Sequence, residues 1–400
     1  MDLRSESPYF LMKNGLLHVY ASLRQNIKTD IVIMGAGITG ALVAWQLLKN
    51  NFDVVIVDRR HIAMGSTCAS TSLLQYEIDT PLYKLQKIVG AKNAIRSYEL
   101  CREAIYGLEK VCNELADRAG FERKSSFQFA SYKTHVDGLC KEYEIRKQNG
   151  FEIDWLEEKD VADKFCMQAS AGVLSKDGAV VDAYALAHGL LAKASKKGLR
   201  IYDNSDVVNV AHNKRHVILT MESGYRITAS KLVVACGYES QQYLPKKMEE
   251  FHSTYAMVSE PFAQAGFWYN NAMIWETANP YLYLRTTSDN RILVGGMDDD
   301  FYQPHLRDKR LKIKAKQLTL KFKKLMPNIP FYPDFSWAGT FASTKDGLPF
   351  IGSVPTLPNT WFALGFGGNG ITFSQMAAEL IAEKFCGKTN PDLDIFSFNR

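Results

Sequence analysis

The chain lacks the cysteine pattern of a disulfide framework or a zinc site. Its seven cysteines, Cys68, Cys101, Cys112, Cys140, Cys166, Cys236 and Cys386, make an odd count with no Cys-x-x-Cys pair, so a reduced, cytoplasmic compartment is expected. The eight histidines are scattered and none stands in a His-x-x-x-His pair with a nearby acid, which predicts no metal. Strong charge of one sign is missing too: 48 basic against 43 acidic residues leave +5. The basic stretch from Lys309 to Lys324 is interleaved with Leu311, Ile313, Leu318, Leu320 and Phe322. It reads as the solvated face of an amphipathic helix, and no nucleic-acid partner is expected. The N-terminus, with acids and no apolar core, does not read as a secretory signal. One uncharged run, Ile31 to Leu48, has membrane-spanning length. It contains Gly35, Gly37, Gly40, Thr39 and Gln46 and divides into strand, turn and helix, so no membrane span is expected.

What is present is an ordinary soluble composition, 46% hydrophobic over 400 residues, long enough for two domains. The run Asp30 to Met34 has the character of a strand buried on both faces, and Gly35-Ala-Gly-Ile-Thr-Gly40 follows at once. Ala41 to Lys49 then reads as a helix and Asp53 to Val57 as a second strand, ending in Asp58. In that βαβ order Gly35 permits the tight turn, Gly37 lets backbone approach a pyrophosphate, and Gly40 lets helix pack close to strand. Ile38 and Thr39 open the helix, whose free N–H groups and positive dipole end face the phosphates. Asp58 stands about twenty residues beyond Gly37, where a carboxylate accepts from ribose hydroxyls. Arg59 and Arg60 border the same end, but Asp58 would repel a 2′-phosphate. After the second strand comes Gly65-Ser-Thr-Cys-Ala-Ser-Thr-Ser-Leu-Leu74, small and hydroxyl-rich. Ser66, Thr67, Thr71, Ser72 and Leu73 are placed to run along a ligand, where an NAD enzyme would more usually enter its next helix.

A second cluster, Gly365-Phe-Gly-Gly-Asn-Gly370, repeats the G-x-G-x-x-G spacing near the C-terminus. The chain beyond it offers one helix, Ile371 to Phe385, and no apolar strand before Asp392 and Asp394. A second βαβ nucleotide site has no room there. The stretch instead puts bare backbone at a helix N-terminus, which suits a reduced flavin near N1 and the C2 oxygen.

With the opening cluster and the segment Gly65 to Leu74, four further stretches occur in a specific order. They are Gly178-Ala-Val-Val-Asp182, Lys231-Leu-Val-Val-Ala-Cys-Gly237, Tyr283-Leu-Arg285 with Arg291-Ile-Leu-Val-Gly-Gly296, and Asp346-Gly-Leu-Pro-Phe-Ile-Gly352. Together they resemble the D-amino-acid oxidase superfamily of FAD-dependent oxidoreductases, the group that includes glycine oxidase and sarcosine oxidase. The Tyr-Leu-Arg strand and the Phe-Gly-Gly-Asn-Gly loop are most similar to its amine-oxidising branch, typified by γ-glutamylputrescine oxidase. The resemblance implies one FAD, with phosphates at Gly35 to Gly40 and ring near Gly367, Gly368, Asn369, Gly370, Ile371 and Thr372. Val208 is expected to meet the adenine through its backbone, with Cys236 and Gly237 near the pyrophosphate. Some members bond the flavin to a cysteine before the Asp-Gly-Leu-Pro motif; Trp337 to Asp346 has none, so noncovalent FAD is expected.

The fold class expected is α/β: a Rossmann-type FAD-binding domain with a second, mixed-sheet substrate domain. The FAD domain is assigned to 1–92, 152–250 and 335–400, and the substrate domain to 93–151 and 251–334. On Tyr281-Leu-Tyr-Leu-Arg285, alternation puts Tyr281, Tyr283 and Arg285 on one face. Tyr283 and Arg285 are read as orienting substrate over N5, with Gln75, Tyr76 and Glu77 bordering the cavity. Glycine oxidase-like members hold a substrate carboxylate with arginines at places matching Phe341 and Gly368, which argues against a free α-amino acid held that way. Sarcosine oxidase-like members activate oxygen with a lysine whose counterpart is Leu293, which leaves a dehydrogenase open. The expected reaction is oxidation of an amine or modified amino acid to an imine. Two rivals remain: oxidation of a hydroxyacid or polyol phosphate, and a flavin-binding subunit without turnover.

Overall fold

The computed structural model describes residues 1–264 and 266–400. Strand Ile27–Met34 lies at the centre of the first sheet, flanked in parallel by Val54–Val57 and Arg226–Val234. Ile31, Val32, Ile33 and all of Val54–Val57 are buried, as a strand covered on both faces requires. Arg200–Tyr202 extends the parallel set on one side and Thr360–Leu364 on the other, with Phe350–Ser353 antiparallel at that edge. Val207–His212 and Val217–Met221 form an antiparallel flap on Arg226–Val234. The uncharged run from Ile31 thus resolves into strand, turn and helix Ile38–Lys49, and no helix among the described residues is long and apolar enough to cross a membrane.

Helix Ile38–Lys49 packs between helices Gly370–Phe385 and Ala183–Ser195, with Ala91–Asn113 beyond the first of these. Trp45, Leu42 and Leu47 are fully buried in that layer; each such side chain contributes roughly 1.5–3 kcal/mol of transfer free energy.

The second sheet is mixed. Its order runs Pro333–Ser343, Glu250–Ser259, Ile292–Asp299, Leu282–Thr286, Met273–Glu276, Glu122–Phe129, Ala171–Val180 and Leu73–Gln75, with Ile153–Glu157 also on Ala171–Val180. Its far face holds a separate core in which Phe127 stacks on Phe165 at 4.0 Å. Helix Pro304–Leu325 covers this face through Leu311, Leu318 and Phe322, while Ile313 and Leu320 of the same basic stretch face solvent. Sheet membership does not follow the boundaries drawn from sequence. Ile153–Glu157 and Ala171–Val180, placed with the FAD domain, pair in the second sheet, and Pro333–Ser343 crosses the boundary at 334. Continuous pairing of Ala171–Val180 with both Glu122–Phe129 and Leu73–Gln75 is what ties that segment across.

Candidate active site

Between the two sheets lies a cavity of about 880 Å³, lined from the first glycine turn to the last. At one end strand Ile27–Met34 delivers Gly35 with φ +104°. A Cβ there would come within 2.5 Å of the Ala235 carbonyl oxygen, and one on Gly40 within 1.9 Å of the Gly35 carbonyl oxygen. Gly35, Gly37, Ile38 and Thr39 line the cavity; Gly40 does not, because its bare Cα is spent on the turn below it. The Ile38 amide donates to Thr67 Oγ1 at 3.0 Å, which fixes the hydroxyl segment over the helix N-terminus.

Asp58 closes strand Val54–Val57 and accepts from the amides of Ala36 and Arg60 at 2.7 and 2.8 Å. Burial lifts its carboxyl to about 6 against the pull of those two amides. Arg59 and Arg60 also line this end, and both guanidinium groups are bound to the buried Glu239. Their charge is thereby satisfied within the protein, which does not suit them to a 2′-phosphate. Cys236 and Gly237 lie on the same wall, with Cys236 Sγ donating to the Met34 carbonyl at 3.2 Å. Val208 is a correction: Val207 lines the cavity, whereas Val208 is 59% exposed and borders a small separate hollow. Strand alternation sends neighbouring residues to opposite faces, and the reading missed the register by one.

Ser66, Thr67, Thr71, Ser72 and Leu73 run along the cavity. The hydroxyl oxygens of Ser66 and Ser72 are buried without a hydrogen-bond partner. Such orphans call for a polar ligand, since an unpaired buried hydroxyl costs about 1–3 kcal/mol. Glycine turn, buried acid and orphaned hydroxyls along one elongated cavity fit FAD.

At the far end Gly367, Gly368, Asn369, Gly370 and Ile371 complete the lining. Asn369 Nδ2 donates to the carbonyls of Gln75 and Glu77 at 3.0 and 2.9 Å, and Thr372 Oγ1 to that of Gln75 at 3.3 Å. Thr372 therefore braces the cavity and does not line it. Gln75 lines it, its side-chain Nε2 donating to Ser126 Oγ at 3.1 Å, while Tyr76 is buried behind. Glu77 lines the cavity and pairs with the buried Arg146 at 3.2 Å; burial nonetheless raises its carboxyl to about 7.

Tyr283 faces the cavity beside Tyr281, its hydroxyl 3.2 Å from Thr71 Oγ1. Arg285 does not join them, and this corrects its assigned role. Its Nη1 lies 2.8–3.1 Å from the carbonyls of Thr71, Ser72 and Val181, and its Nε donates to the Thr286 carbonyl at 3.1 Å. Arg285 clamps the hydroxyl segment, where Ser72 holds φ +57°, onto both strands. A cation buried at that depth takes every carbonyl within reach, so a shared strand face does not bring it to the substrate.

The far end also holds residues that spacing did not reveal. Asp79 accepts from the Gly368 amide at 2.9 Å, and burial raises its carboxyl above the usual range. Asp298, on strand Ile292–Asp299, has a buried Oδ1 with no partner, and burial lifts its carboxyl to about 7. Tyr238, Thr254 and Phe341 share the wall. Asp298 opens a run of three aspartates and Tyr238 follows a glycine, neither a spacing that signals a site. Leu293 is fully buried and does not line the cavity. All seven cysteines are unpaired, and Cys236 is the one bordering the cavity among the described residues.

A model of the FAD dependent oxidoreductase family, DAO, matches residues 30–384. Among curated relatives, a glycine oxidase of Geobacillus kaustophilus is 25% identical over 93% of this chain and 97% of its own. The γ-glutamylputrescine oxidoreductase of Escherichia coli is 24% identical over 95% and 89%. Among solved structures, glycine oxidase from Geobacillus kaustophilus superposes with a TM-score of 0.78 at 20% identity, covering 93% of this chain and 99% of that one. An FAD-bound L-α-glycerophosphate oxidase from Mycoplasma pneumoniae superposes at 0.75 with 15% identity, covering 92% and 98%. The fold is thus common to proteins named for different substrates. With a family match over most of its length, the chain belongs to the DAO family of FAD-dependent oxidoreductases.

Proposed function

We propose that the protein oxidises a C–N bond of an amine or modified amino acid to an imine, with noncovalent FAD held by the segments described above. The observation that carries this reading is the chemistry of the ring end, where the lining groups are carboxylates and phenols. Among the described lining residues the arginines and lysines are Arg59, Arg60 and Lys84. The first two are tied to Glu239 at the other end, and Lys84 is exposed. FAD, when bound, accepts the hydride of the C–H bond beside nitrogen, so the amine gives up that hydride and an N–H proton.

The chain's own part is to bind, orient and take a proton. An ammonium group must shed one proton before its nitrogen lone pair can assist, and Asp79, buried in the same lining with its carboxyl raised above the usual range, is placed to receive it. Tyr281 and Tyr283, whose phenols burial keeps protonated, position the substrate from the sheet side. Holding the C–H bond about 3–3.5 Å from the acceptor atom contributes most of the rate. The names of the similar proteins, glycine oxidase and γ-glutamylputrescine oxidoreductase, support the same chemistry.

Oxidation of a hydroxyacid or polyol phosphate would need an anion-binding cation at the ring end, where the described lining offers no arginine and the exposed Lys84 as its lysine. The test is anaerobic addition of amines and hydroxyacids to the yellow holoprotein. Bleaching of the flavin band by an amine is expected; bleaching by hydroxyacids alone, or by nothing, contradicts the proposal.

A further inference from the structure

The net charge of the chain is +5, yet its substrate end is acidic. Asp79 approaches from the loop that follows Leu73–Gln75 and is anchored on the Gly368 amide. Asp298 stands near the end of a strand of the second sheet. Asp298 lies within the field of Asp79, and that repulsion, after burial, helps to raise it. Thr254 is within hydrogen-bonding reach of Asp298 and of Tyr283, which places the acid beside the phenols. Two basic side chains nearby are already committed. Lys314, whose field reaches Asp298, is bound to Asp299 and to the Met297 carbonyl, each at 2.7 Å. His252 shares its ring nitrogens with Ser343 and Asp300.

Asp298 Oδ1, buried and without a partner, is the feature that asks for a ligand. A carboxylate left in this state loses hydration with nothing in return, and a charge-assisted N–H donor from the substrate restores the balance. When both acids are ionised, a substrate carrying two positive charges matches them better than one carrying a single charge, and they repel one carrying a carboxylate. Asp300, fully exposed at the rim, extends the same sign outward.

We propose that the substrate is a di- or polycationic amine, with one nitrogen presented for oxidation near Asp79 and a second ammonium group held by Asp298. The proposal rests on the amine-oxidising reading above and narrows it to substrates without a free carboxylate. The reaction is unchanged: two electrons and a proton leave as hydride from carbon to FAD, one proton leaves the nitrogen, and water then hydrolyses the imine to an aldehyde, releasing ammonia from a primary amine.

The test uses the holoprotein and three probes of equal length: 1,4-diaminobutane, 1-aminobutane and 4-aminobutanoate. Dissociation constants are read from perturbation of the oxidised flavin spectrum, and reduction from anaerobic bleaching. The diamine is expected to bind about tenfold or more tightly than the monoamine, as one buried charge-assisted contact implies, with the amino acid weakest. In Asp298→Asn the ratio of monoamine to diamine constants should collapse toward one. Equal constants for diamine and monoamine in the unaltered protein, or tightest binding of 4-aminobutanoate, overturn the proposal without recourse to the variant. Bleaching by the monoamine with no preference for the diamine leaves amine oxidation standing and removes the dication. Selective diamine binding that never bleaches the flavin does the reverse.

Discussion

The hydroxyl oxygens of Thr39 and Ser374 lie 2.8 Å apart although 335 positions separate them in the chain. Each sits in the first turns of a helix that follows a glycine cluster, and the two helices, Ile38–Lys49 and Gly370–Phe385, pack side by side. Both clusters thereby open onto one cavity. The repeated glycine spacing marks two ends of a single cavity.

Gly40 tests the near end. Its Cα lies so close to the Gly35 carbonyl that Gly40→Ala must displace helix from strand, at a cost of about 1–3 kcal/mol. The purified variant should carry markedly less FAD per chain and melt at lower temperature. Full flavin content at unchanged melting temperature would contradict the close-approach role.

Arg285→Met removes the donor shared by Thr71, Ser72 and Val181 while keeping much of the side-chain volume. Several buried carbonyls lose a charged donor, which costs about 2–4 kcal/mol in urea unfolding. Substrate dissociation constants in the folded fraction should move little. A variant of unchanged stability with lost substrate affinity would restore Arg285 to the substrate.

Glu249 gives the pH dependence. It is 1% exposed, one oxygen accepts from the Gly365 amide at 3.0 Å, and burial raises its carboxyl to about 8. The folded state therefore holds a proton that the unfolded chain has released above about 4.3. Stability from this group is full below that value and falls as pH rises through about 8. In Glu249→Gln the decline between pH 5 and 8 should be shallower, by at most about 1.4 kcal/mol per pH unit. Urea midpoints across that range measure it, and parallel slopes in the two proteins would refute it.

Asn369→Ala frees the carbonyls of Gln75 and Glu77 from their shared donor. Two neutral hydrogen bonds correspond to about 1–3 kcal/mol. Because they lace the C-terminal loop to the strand bearing Gln75, the expected effect is weaker FAD retention on dilution. Unaltered retention would show that the loop is held by other contacts.

The first nucleotide turn was legible because its signals are local. Strand, glycines, helix and Asp58 follow one another within a single βαβ unit, and each obeys short-range geometry. The second sheet's membership was less so, since Ala171–Val180 pairs with strands from three other regions of the chain. Val208 failed by one position in a period of two, where Val207 lines the cavity. Arg285 failed because alternation assigns a face but not the acceptors a long cation can reach. Asp79 and Asp298 had no signature at all: their meaning comes from burial and from the effect of one on the other, two residues far apart in sequence.

A crystal structure of the yellow holoprotein tests the central claim most directly. One FAD per chain is predicted, with its pyrophosphate at the amides of Gly37 to Thr39 and its ring against Gly367 to Thr372. A ring remote from the C-terminal glycines, or a second nucleotide bound at them, would contradict it.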